Sequence, residues 1–130
     1  MTSYLRIVGI LSAFVLVQCE IAPEIRSQID ECLTEFELTK EMLKSPDFED
    51  PKIKCFAACV MKKGDRLTEG KASVDKEVEL AKMYMSDQID DSLEENFTGC
   101  VNEANEEKDD CAVAGSLFKC IVEKYKIPEL

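Results

Sequence analysis

The chain has 130 residues, with 16 Lys and Arg against 27 Asp and Glu, a net charge of −11 and no histidine. That length points to one domain with a modest core, and an acidic balance without a basic patch excludes nucleic acid as an expected partner. Without histidine, most nucleophile–histidine pairs and most catalytic zinc sites are excluded. No enzymatic activity, catalytic residue, metal site or cofactor is therefore expected, and the carboxylates read as a solvated surface.

In chain order, Arg6 precedes an uncharged run from Ile7 to Val17. The run has the length of a secretory signal peptide and is too short to span a bilayer as a helix, which needs ~20 residues. Residues 1–19 are expected to be a leader cut after Cys19, and residues 20–130 a secreted, extracellular helical domain without a transmembrane segment.

Helical periodicity predicts an all-α chain of six helices, with no strand-like alternation. The first runs from Pro23 to about Leu38, with Ile25, Ile29, Cys32, Leu33 and Phe36 on one face. The second is short, Thr39 to Lys44, and is stopped by Ser45-Pro46. Asp50-Pro51 starts the third, which ends at Gly64. After a loop over 64–70, the fourth runs from about Ser73 to Met85 on a stripe of Val74, Val78, Ala81 and Met85. Ser92-Leu93-Glu94-Glu95 reads as a capping box opening the fifth, with Leu93, Phe97, Cys100, Val101 and Ala104 on one face. The sixth, Cys111 to about Tyr125, is apolar round most of its circumference and is expected to be central.

Loss of the leader leaves six cysteines: Cys32, Cys55, Cys59, Cys100, Cys111 and Cys120. An even set in a secreted chain implies disulfides, and six allow 15 connectivities. Cys55 and Cys59, four apart, share one helix face and are poorly aimed at each other, so each suits a different neighbouring helix. Cys111 and Cys120, nine apart, point to opposite sides of theirs. The spacing does not fit a structural zinc site, and the acidic stretch from Asp87 to Glu95 lacks the glycine and spacing of a calcium loop.

The stretch Lys54-Cys55-Phe56-Ala57-Ala58-Cys59-Val60-Met61-Lys62-Lys63 and the closing Cys111-x8-Cys120 resemble the insect odorant-binding and pheromone-binding proteins. The resemblance covers all of residues 20–130. It implies the bridges Cys32–Cys59, Cys55–Cys111 and Cys100–Cys120, and a compact domain enclosing an apolar cavity. It also implies an extracellular carrier of small hydrophobic ligands, odorant- or pheromone-like, with an olfactory receptor or a second copy as further partners. The same fold in saliva, venom or reproductive fluid would instead act as a ligand scavenger or interaction partner.

Candidate wall residues are Phe36, Phe56, Met61, Val78, Met83, Met85, Phe97, Val113, Leu117, Phe118 and Tyr125. Tyr84 and Tyr125 could donate a hydrogen bond to a ligand carbonyl or hydroxyl. Asn96-Phe97-Thr98 is an N-glycosylation acceptor, but its place beside the buried stripe of the fifth helix argues against a glycan. With no histidine, only carboxyl groups can make ligand release acid-dependent. Asp50, Glu94, Glu95 and Asp110 near helix starts, and the tail from Lys126 to Leu130, are the expected contributors.

Overall fold

The computed structural model describes residues 22–84 and 90–125. These form five α-helices, one 3-10 turn and a two-stranded hairpin, so of the six helices expected, five are α-helices among the described residues. Helix α1 spans Pro23–Glu35, α2 Pro51–Lys63, α3 Val74–Tyr84, α4 Leu93–Ala104 and α5 Asp110–Lys124; strands β1 Leu67–Thr68 and β2 Lys71–Ala72 lie between α2 and α3.

Pro23 opens α1, where its missing N–H is no loss. The helix stops three residues short of Leu38 because Glu37 turns left-handed at φ 55°. Leu38 N then donates to Leu33 O (2.9 Å) and Glu37 N to Thr34 O (3.3 Å), closing the last carbonyls in a Schellman motif. The expected second helix is a single 3-10 turn, Lys40–Leu43, with no buried residue. Four residues with only Leu43 partly buried against the core cannot repay the cost of nucleating an α-helix.

Asp50 and Pro51 start α2 as read: the Asp50 carboxylate accepts from Lys52 N at 2.9 Å. At the other end, Gly64 keeps φ −87° and Asp65 takes the left-handed position at φ 57°. The expected 64–70 loop holds the first strand and the turn of a hairpin that continues to Ala72, with Leu67 opposite Ala72 and both buried. Its turn residues Glu69 (φ 53°) and Gly70 (φ 75°) are both left-handed, the signature of a type I′ turn. Asparagine tolerates that conformation better than glutamate. Glu69→Asn is therefore expected to raise stability by about 0.5–1 kcal/mol, read from urea unfolding; a loss would mean that the Glu69 side chain itself holds the turn.

At α4 the expected capping box is not made. The Ser92 hydroxyl donates backwards to Asp90 Oδ1 (2.7 Å), which also accepts from Ser92 N (3.0 Å). A preceding aspartate at this spacing competes for the hydroxyl. Helix α5 is capped by Asp109, which accepts from Ala112 N at 2.8 Å.

Helix α2 is the strut of the molecule, buried on two faces. Phe56 and Val60 meet Ile29, Cys32 and Leu33 of α1. Ala57, Ala58 and Met61 belong to the main core, which α2 shares with α3, α4, α5 and the hairpin. Against α5 it comes close because Gly115 has no side chain: a Cβ there would lie 2.6 Å from Lys54 Cγ. Bridges Cys32–Cys59, Cys55–Cys111 and Cys100–Cys120 join α1 to α2, α2 to α5 and α4 to α5. These are the pairs that the resemblance implies. Helix α5 is central as expected, although Val122 is 38% exposed.

Candidate ligand-binding site

The candidate wall residues do not form one surface. Phe36 and Phe56 belong to the small cluster between α1 and α2. Met61, Val78, Phe97, Val113 and Leu117 lie in the main core, with Phe118 and Tyr125 partly buried against it. Helix α2 stands between the two groups. Met83 stands apart at 61% exposed, and Met85 and the 126–130 tail lie outside the described residues.

The concavities found among the described residues are open, not the expected enclosed cavity, and the main core beside them is well buried. Phe97, Met61, Leu93, Leu117, Val101 and Val113 are its large, fully buried side chains. Two open concavities lie on the surface. One, about 390 Å³, is bounded by Asp75, Val78, Glu79, Lys82, Met83 and Glu94 of α3 and α4. The other, about 360 Å³, is lined mostly by charged groups, among them Glu49, Lys54, Glu103, Lys119 and Glu123. The first exposes more apolar than polar surface but is open and bordered by Asp75, Glu79, Lys82 and Glu94, and the second is predominantly polar.

At one end of the main core is a small polar group. Asn96 Nδ2 donates to the Tyr125 hydroxyl oxygen at 2.9 Å, and the Tyr125 ring tilts against Phe97 with centroids 5.4 Å apart. Because the hydroxyl is the acceptor in that bond, its own proton is not used there. Asn96 was legible as a flank of the buried stripe, since it lies three residues after Leu93 and four before Cys100.

Sequence reading missed the one buried charged side chain among the described residues. Glu77 of α3 is 2% exposed. Arg66 Nη1 donates to both its carboxylate oxygens, at 3.2 and 3.0 Å. Burial pushes the Glu77 carboxyl above its ordinary value, and the charge and hydrogen bonds of Arg66 pull it back. Its position between Val74 and Ala81, on the apolar stripe, was the available signal. The pair ties the hairpin segment to α3, a helix without a cysteine.

Two of the four acidic groups expected near helix starts are engaged structurally: Asp50 caps α2 and Asp110 pairs with Lys62 of α2. Glu35 lies beside Cys32 and Cys59, but both sulfurs are spent in a disulfide and offer no thiolate to a metal. No helix of the described residues is long and apolar enough to cross a membrane.

Five helices, a central strut and three cross-links between neighbours define a disulfide-stapled all-α domain built round an apolar core. The model of the PBP/GOBP family matches residues 17–124. The chain belongs to that family, the insect odorant- and pheromone-binding proteins. No curated protein and no solved structure is significantly similar to it.

Proposed function

We propose that this protein is an extracellular, non-enzymatic carrier of small hydrophobic, odorant- or pheromone-like ligands. Membership of a family of ligand carriers carries the reading. Three disulfides suit an oxidising compartment. The ligand enters the main core, where Met61, Phe97, Val113 and Leu117 yield to it and Phe118 and Tyr125 border it. Met61 is suited to this because methionine adapts its shape at little cost, and the cross-links hold the walls apart as side chains move. A receptor or a second copy is a further partner in this reading.

The Tyr125 proton is donated to an oxygen of the ligand, with Asn96 holding the ring in place. A fluorescent naphthylamine probe is expected to bind at one site per chain with micromolar affinity, on the order of −8 kcal/mol. Long-chain alcohols, esters or aldehydes displace it, and polar or anionic metabolites do not. Tyr125→Phe is expected to weaken esters and aldehydes by roughly five- to tenfold, the loss of one hydrogen bond, while a hydrocarbon of equal length is unaffected. If no apolar compound displaces the probe, the carrier reading fails; if Tyr125→Phe treats esters as the natural chain does, only the role of Tyr125 fails.

A further inference from the structure

The acceptor tripeptide Asn96-Phe97-Thr98 is not a surface loop but a turn of α4. All three of its side chains are committed. Asn96 Nδ2, the nitrogen that would carry a sugar, donates to the Tyr125 hydroxyl at 2.9 Å and approaches Ser92 Oγ at 3.5 Å. Phe97 is 2% exposed in the core. The Thr98 hydroxyl donates to Glu94 O at 2.7 Å within the helix.

N-glycosylation forms a bond between the asparagine side-chain nitrogen and the anomeric carbon of a lipid-linked oligosaccharide. The carbon–oxygen bond to the lipid diphosphate breaks, the diphosphate leaves, and the amide proton passes to a base of the transferase. The tripeptide must leave helical geometry and present the amide and the threonine hydroxyl together. The folded chain cannot do this without unwinding α4 and withdrawing Phe97 from the core.

One covalent step decides when that route closes. Cys100 lies one helical turn beyond Asn96, and its bridge to Cys120 fixes α5 on α4. Tyr125, five residues after Cys120, is thereby brought over Asn96. We propose that Asn96 is a conditional modification site: open to N-glycosylation while Cys100 and Cys120 are reduced, and shut once they are joined. A glycan added in that window would occupy the place of Tyr125 and keep the end of α5 off α4. The proposal rests on the secretory route of the reading above, since only there do the transferase and the oxidising environment meet.

The test expresses the full chain in cultured insect cells and measures intact mass. A parallel form, residues 20–130 behind a heterologous secretory leader, carries the acceptor into the lumen whatever the native N-terminus does. The expected result is an unmodified polypeptide from untreated cells. A heavier form, returned to the peptide mass by a peptide N-glycosidase, is expected when cells are pulsed with dithiothreitol during synthesis and in Cys120→Ser. Asn96→Gln removes the heavier form in both cases. A glycan on the oxidised natural chain overturns the proposal, as does its absence from both the reduced chain and Cys120→Ser. Secretion with the heterologous leader but not with the native N-terminus overturns the secretory reading alone.

Discussion

Replacing Cys55 and Cys111 together by serine is expected to lower stability by about 4 kcal/mol, the largest loss of the three bridges. The two cysteines are 56 residues apart, against 27 for Cys32–Cys59 and 20 for Cys100–Cys120. In the chain-entropy description the denatured chain gains most freedom when the longest loop opens, with losses of about 4 against somewhat over 3 kcal/mol for the other two. The bridge also holds α5 to the strut α2 at the place where Gly115 faces Lys54. Melting temperature should fall on the order of 15 °C. Urea unfolding of the three double-serine variants measures the ranking, and a smallest loss at Cys55/Cys111 would show that native packing, not loop length, governs it.

Arg66→Leu is expected to cost about 3–5 kcal/mol at pH 7, because it strands a charge at a position that is 2% exposed. Replacing both partners, Arg66→Met with Glu77→Leu, is expected to be near neutral, since no buried charge then lacks a partner. The sign of the pH dependence follows from Glu77. Burial raises its carboxyl above 4.5, so the folded state holds that proton more tightly than the unfolded chain does. The stabilisation is complete below 4.5 and is lost as pH rises through the higher folded value.

Glu77→Gln has no such titration. Its stability relative to the natural chain should therefore rise between pH 4.5 and 7. The cost of Arg66→Leu should shrink as the medium is acidified, because the stranded carboxyl takes up a proton. Denaturant melts at pH 4 and 7 test both, and a Glu77→Gln difference independent of pH would show that the carboxyl is not held above its ordinary value. Protonation of this group supports the folded state.

What the sequence determined by itself is what a few neighbouring residues decide. Asp50-Pro51 starts a helix because a carboxylate and a ring with no N–H satisfy its first turn, whatever lies beyond. Apolar stripes at helical spacing placed α1, α3 and α4 because burying one face is a property of the segment. The cysteine spacing carried the family, since six residues at constrained intervals are hard to arrive at otherwise.

The tertiary structure alone decided where local signals tie or conflict. Lys40–Leu43 makes no side-chain cap and sets only Leu43, partly buried, against the core, so it formed one 3-10 turn. The two-residue strands were invisible as alternation. Leu67 and Ala72 are buried by α2 and α5, and Asn105 of the α4 end clamps Ala72 through two hydrogen bonds of 2.9 and 3.1 Å. The sequence offered Phe56 and Met61 alike as candidate wall residues, but only the packing of α2 between two clusters assigned them to different sides. A cavity is a balance between the cost of empty volume and the freedom of its walls, summed over five helices, and no single stretch of sequence carries that sum.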